Sequence, residues 1–306
     1  MSSAPQWLTY LGVVVVAAPL LLSVMLGLSS LLDRRPGEQA LVRWVQAAVV
    51  SGLVGYFLVL RGQTFAGHAL GHIGFAGATG AVLIGVASLW GLLAFTVAAG
   101  VVMGLLGDRL SGRDVAIGVV LALALGFGLL FLHYYTAFAA QAMALLFGNV
   151  LAVDGTMIAT LIGLGVITLA ALAAIMRPLI FASLQPELAE AKGVPLRFIS
   201  TAFLAIVALA VSESAQIVGI LLVFSLMVGP AAAAQQLAAG LWSGMALSAG
   251  LALAEAWLGI AIAYHTDWPV SFCVAMLSAL GYFATRGGWW LRRTPMAVAD
   301  VAEERR

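Results

Sequence analysis

The stretch TFAGHALGHIGFAGATG, Thr64 to Gly80, sets two imidazoles four residues apart in a run built mostly of alanine, glycine and larger apolar side chains. At helical spacing, residues i and i+4 lie on one face with Cβ atoms about 5–6 Å apart, so His68 and His72 point the same way. The rest of the chain says what surrounds that helix. Of 306 residues, 63% are hydrophobic and 9% charged, with a mean hydropathy of +1.10. A water-soluble globule of this length cannot hide so much apolar surface, so the chain is read as all-α and polytopic in a membrane.

Outward from Thr64, splitting the apolar runs at charged, Pro and Gly-rich breaks gives spans near 7–32, 40–60, 64–86, 88–107, 114–134, 155–176, 195–212, 214–238, 241–264 and 269–285. That predicts about nine to ten transmembrane helices, each close to the roughly 20 residues a bilayer needs. The pair meeting around Ser212 to Ser214 is either two spans or one broken helix. Between the fifth and sixth spans, AFAAQAMALLFGNVLAVDG (Ala137 to Gly155) is too short to cross twice and reads as re-entrant or interfacial. Trp7 to Leu32 is too long for a signal-peptide core and reads as a retained membrane helix.

Alternating the spans gathers Arg61, Arg109, Arg113, Arg177, Lys192, Arg197, Arg286, Arg292, Arg293, Arg305 and Arg306 on one side, leaving Arg34, Arg35 and Arg43 on the other. The asymmetry predicts both termini and the 177–197 loop to be cytoplasmic. The polar tail from Arg292 to Arg306 is expected to be solvated and partly disordered. One cysteine, Cys273, excludes an internal disulfide framework, and a net charge of +1 with no basic patch gives no nucleic-acid surface.

Within the cytoplasmic 177–197 segment, SLQPELAEAKGVP (Ser183 to Pro195) reads as a short helix. Pro186 suits the first turn, Glu187 and Glu190 favour the positive N-terminal end, and Gly193 with Pro195 stops it. Leu184, Leu188 and Ala191 would share one face. Such a helix rests either on the lipid interface or on a cytoplasmic protein, and its acidic half disfavours anionic lipid.

Ionisable groups in hydrocarbon are costly and face a cavity or a partner. The two histidines are therefore either bonded to neighbouring helices or poised to share a metal ion. Gly67 and Gly71, continued by Gly74, Gly77 and Gly80, give the same helix a thin surface that another helix or an ion can approach. Glu255 lies deep in a span, and Glu213 in AVSESAQ lies at a break near the outer end. Each either helps pass a cation along a pathway or bonds between helices. His133, His265, Asp154 and Asp267 fall near outer ends, where no chemistry is assigned.

Enzyme readings find little support. Membrane di-iron desaturases need many more histidines than the four present, and neither HExxH nor GxSxG occurs. A P-loop requires Gly-Lys, and the single lysine, Lys192, follows Ala191. If ATP drives this protein, another chain binds it.

Five stretches, taken together, resemble the ABC-3 family of membrane permeases from bacterial importers of zinc and manganese. VLRGQTFAGHALGHIGFAG (Val59 to Gly77) resembles that family's Asp-Ala-Leu-x-His block on the translocation path. GRDVAIGVVLALALGFGLL (Gly112 to Leu130) is similar to its D-x-A-I-G segment, and LLFGNVLAV (Leu145 to Val153) to its FGN turn. QPELAEAKGVP (Gln185 to Pro195) looks like its coupling helix, and VGILLVFSLMVGPAAAAQQL (Val218 to Leu237) resembles its PAA-x-A span. The matches run in order from about Val42 to Ala284.

The resemblance implies a permease of the plasma (inner) membrane, working as a homodimer beside cytoplasmic ABC ATPase subunits and fed by an extracytoplasmic metal-binding protein. It implies no enzyme activity and no permanently bound cofactor, the divalent metal being cargo. Gln185, Pro186, Glu187, Leu188, Glu190 and Gly193 would form the ATPase-coupling helix. The division expected is an extra helix and loop over 1–39, a permease domain over 40–286 and a cytoplasmic tail over 287–306. One departure matters, because the family's Asp is His68 here. Imidazole suits zinc, copper, nickel or cobalt better than manganese, so zinc is favoured over manganese, and two copies would offer four imidazoles. Proton competition predicts lower uptake below about pH 6, near the ordinary histidine value. The competing readings are a permease for a metal chelate such as a siderophore, haem or cobalamin, and an ATP-independent secondary carrier.

Overall fold

The structure, a computed structural model, describes residues 36–106, 110–134 and 155–303, and the regular structure among them is helical throughout. The first four helices are α1 (Pro36–Leu60), α2 (Thr64–Leu83), α3 (Ser88–Leu105) and α4 (Leu110–His133). Beyond residue 154 follow α5 (Gly155–Leu184), α6 (Pro186–Ala191), α7 (Leu196–Val218), α8 (Ile220–Leu237), α9 (Leu241–Thr266) and α10 (Val270–Glu303).

Side-chain contacts fix which ends lie together. Arg61, just past α1, donates to Ser183 Oγ near the end of α5 (3.2 Å) and to Ser200 Oγ near the start of α7 (3.3 Å). Gln235, near the end of α8, donates to the Tyr56 carbonyl at 2.9 Å. Hence α7 leaves the Arg61 end of the bundle and α8 returns to it. The far ends of α2 and α4 meet where Gly80 lies against Phe131.

Tight turns come from glycines that close the preceding helix. At Gly62 (φ 63°) and Gly193 (φ 80°) the chain takes the left-handed conformation that glycine adopts without a Cβ clash. Gly62 N–H bonds the Val59 carbonyl and Gln63 N–H the Leu58 carbonyl, the reciprocal pattern that satisfies a helix C-terminus, and Gly193 and Val194 repeat it on Glu190 and Ala189.

Six helices are long and apolar enough to span a bilayer among the described residues: α3, α5, α7, α8, α9 and the first half of α10. Shorter apolar stretches, Trp44–Leu60 and Ile117–His133, lie in α1 and α4. The histidine helix α2 is absent from both sets because its glycines and imidazoles dilute its hydropathy. It is sheltered by protein instead, packing on α3, α4, α7 and α8 with Leu70, Ile73 and Ala76 buried. At its far half a Cβ on Gly77 would collide with the Gly91 carbonyl and Phe95, so the α2 and α3 backbones touch.

Four expectations need correction or fall outside the described residues. The helix does not break at Ser212 to Ser214; it continues to Val218 and breaks at Gly219 (φ 89°). The serines that looked like a break are satisfied inside the bundle: Ser212 donates to its own Ala208 carbonyl (2.8 Å) and meets Thr96 (2.7 Å), and Ser214 meets Ser51 (3.1 Å). The span expected over 155–176 does not stop there, since α5 carries Pro178 within it and runs to Leu184. The tail is helical to Glu303, as its run of Met, Ala, Val and Glu allows. The 7–32 span, most of Ala137 to Gly155, and Arg34, Arg35 and Asp154 lie outside the described residues.

Candidate functional site

Gly219 positions the site. By ending α7 and starting α8 at Ile220, it brings the first turns of α8 across the face of α2 that carries both histidines. The rings of His68 and His72 stand 4.6 Å apart, centroid to centroid, at 77°. On its other side the His68 ring meets the Phe224 ring at 4.7 Å and 68°. A cavity of about 30 Å³ opens beside them, walled by Gly67 and Gly71 of α2, Val211 of α7, and Ile220, Val223 and Phe224 of α8.

That volume holds one or two waters or a single ion. Apart from the imidazoles its side-chain walls are apolar, and a neutral imidazole keeps one lone-pair nitrogen to offer. Both histidines are only half-buried, so part of each ring remains open. Gly67 and Gly71 keep the space clear; a Cβ on Gly71 would lie 3.5 Å from Ile220. Among the described residues no group of three or more His, Cys, Asp or Glu side chains converges on a point, and the two imidazoles are the pair brought together here.

The two intramembrane carboxyl groups are placed elsewhere. Glu213 is fully buried on the side of α7 turned toward α1 and α5. Its Oε1 accepts from Gln46 Nε2 at 2.6 Å, and the same amide donates to the Leu161 carbonyl at 3.0 Å. Glu213 Oε2 and Gln46 Oε1 are buried with no hydrogen-bond partner among the described residues. Glu255, 7% exposed on α9, hydrogen-bonds Ser278 of α10, whose hydroxyl donates to the Ser225 carbonyl at 3.0 Å. Neither carboxyl lines the histidine cavity. Ser225 and Phe224 are consecutive, so one turn of α8 touches the Glu255 group through one residue and His68 through the next.

At the Arg61 end, α6 matches its expected limits, with Gln185 at the N-cap and Pro186 in the first turn. Ala189 alone of this helix is buried, while Glu187, Leu188 and Glu190 are exposed, as are Leu184 and Ala191 beside it. The apolar face of this segment therefore points away from its own bundle. Sequence reasoning missed Gln46 and Phe224. Gln46 was open to discovery as a lone amide in WVQAAVV, a polar group in an apolar span; Phe224, one apolar residue in LLVFSL, gave no signal.

Similarities to known proteins bear on this arrangement. The chain superposes with a TM-score of 0.73 on a chain of PsaBC from Streptococcus pneumoniae in complex with Fab, at 24% identity, covering 86% of this chain and 95% of that one. It is 29% identical over 244 residues to the manganese import system permease protein ScaB of Streptococcus parasanguinis, 79% of this chain and 87% of the relative. It is 26% identical over 260 residues to the manganese transport system membrane protein MntC of Listeria monocytogenes, 85% of this chain and 92% of the relative. The family model of the ABC 3 transport family matches residues 38–286, and this multi-pass helical chain belongs to that family.

Proposed function

We propose that the chain is the membrane permease subunit of an ATP-driven importer of a divalent metal ion, with His68 and His72 as the ligands of a transit site. The observation that carries this reading is the convergence of two imidazoles on a single-ion cavity at the break between α7 and α8. Two ligands per chain suit a site that must release its ion, because a set of four shared between two copies opens when the copies move, whereas a structural zinc site is closed. A cavity of about 30 Å³ also argues against a siderophore-sized chelate.

In this reading metal reaches the outer face on a separate binding protein, pauses at the histidines, and leaves inward when a partner ATPase moves α6. ATP hydrolysis belongs to that partner. The Arg61 end is cytoplasmic, as are both termini; α6, from Gln185 to Gly193, is the coupling helix, and a second permease copy completes the assembly. Nine or ten helices cross the membrane, the segment over 1–39 adding to a permease domain of 40–286 with a tail beyond. Glu213 and Glu255 stand off the transit step and hold helices together.

For the cargo, the imidazole pair favours zinc. Manganese is the second reading, supported by what the relatives are named for.

The test is ATP-dependent uptake of labelled zinc and manganese into vesicles carrying the chain with its ATPase and binding protein. His68→Ala and His72→Ala are each expected to abolish uptake while the ATPase stays associated. Uptake at the wild-type level in both variants overturns the transit site.

A further inference from the structure

We infer that Arg61 is a positioning residue that transmits movement of α6 to the histidine helix α2. The inference rests on the proposed roles of α6 and of the histidine pair.

The argument begins with what the guanidinium holds. Ser183, which accepts from Nη1 at 3.2 Å, precedes the start of α6 by three residues. Ser200, which accepts from Nη2 at 3.3 Å, lies in the first turns of α7, on the other side of α6 in the chain. One planar fork thus grips the segments that lead into and out of α6. Ser183 gives its own proton to the Leu179 carbonyl at 2.5 Å, which turns an oxygen lone pair toward the arginine. Phe203 lies 5.8 Å beneath the guanidinium, is fully buried, and is itself wedged against Phe57 at 6.4 Å. The ring keeps the cation on the bundle side.

The other end of the linkage is the backbone. Only Gly62 and Gln63 separate Arg61 from Thr64, the first residue of α2. Both are locked by bonds to the Val59 and Leu58 carbonyls, and Gly67 N–H bonds back to the Gln63 carbonyl at 3.2 Å. A turn bonded in this way has no slack. A shift of Ser183 and Ser200 therefore reaches α2 as a shift of its first turn, with His68 in the second turn and His72 in the third.

Arginine is suited to this task and lysine only in part, because the fork reaches two acceptors in fixed directions while an ammonium is a point charge on a flexible stem. Site-to-site coupling typically amounts to a factor of 5–150, so loss of the link should lower metal moved per ATP by about tenfold.

The test uses the permease with its ATPase and binding protein in proteoliposomes, comparing wild type with Arg61→Ala, Arg61→Lys and the double variant Ser183→Ala, Ser200→Ala. The double variant leaves the arginine and the turn intact, so it reports even if Arg61→Ala fails to fold. Four quantities are read with zinc, or with manganese where that is the metal the wild type carries: ATPase association, ATP hydrolysis, metal affinity by titration, and labelled metal taken up per ATP. Expected is a fall in the last alone, about tenfold for Arg61→Ala and the double variant and smaller for Arg61→Lys. Wild-type uptake per ATP in the double variant overturns the inference, as does a fall that only tracks lost ATPase association or lost metal affinity. A wild type with no ATP-driven uptake of zinc or manganese overturns the proposed function, and this inference with it.

Discussion

Gln46 and Glu213 meet at 2.6 Å inside the bundle, and they show how one buried polar pair joins three helices. Gln46 Nε2 serves a carboxyl of α7 and a carbonyl of α5 from its place on α1. A neutral amide in place of the carboxyl retains an acceptor for Gln46, so Glu213→Gln should shift stability by less than about 1 kcal/mol. Glu213→Ala removes the acceptor and opens a void, and should cost about 2–4 kcal/mol. Thermal unfolding of the purified variants in one detergent checks both; equal losses would mean that the carboxylate charge, rather than the hydrogen bond, matters. That Glu213 was an intramembrane group could be read from AVSESAQ. Its address could not, because serines at 212 and 214 have the chemistry of a helix break and are satisfied instead by Thr96 and Ser51, residues distant in the chain.

Elements differ in how openly they announce themselves. The helix α6 is local chemistry, a proline in the first turn and a glycine past the last, and its limits follow from the residues alone. The histidine pair is legible for the same reason, since i and i+4 share a face in any helix. What lies opposite a helix is not local. Gly77 and Gly71 look alike in sequence, yet they face different neighbours. Gly77→Ala places a methyl against the Gly91 backbone, which cannot rotate away, so α2 and α3 must part at a cost of about 1–3 kcal/mol. Gly71→Ala makes only ordinary contacts, with Ile220 from 3.5 Å and with Val211 at 4.0 Å, and should fold like wild type. Its methyl enters the cavity beside the imidazoles, and zinc affinity is therefore expected to fall. Unfolding temperature and zinc titration on the two variants should separate, the first dropping for Gly77→Ala and the second for Gly71→Ala.

At the scale of the molecule, hydropathy undercounts the bundle, because α2 is covered by other helices and need not be apolar enough to face lipid. Its pairing with α3 and α8 is what makes a helix rich in glycine and carrying two imidazoles tolerable in a membrane protein. The same geometry limits what one chain can do with a metal. Zinc takes four ligands, one chain offers two imidazoles, and among the described residues no third ligand joins them. Both rings are only half-buried, so in the proposed site the remaining positions would be filled either by water or by the histidines of a second permease copy across a two-fold axis. We expect the second arrangement, with about one zinc bound per two chains. Metal analysis of the purified permease assembly, paired with its mass, measures the ratio, and His72→Ala should remove the bound zinc. A ratio of one per chain, lost with the same variant, would instead give each copy its own water-completed site. Manganese, which prefers oxygen ligands, should bind the four-imidazole site more weakly than zinc in the same titration, and the reverse order would move the cargo to manganese.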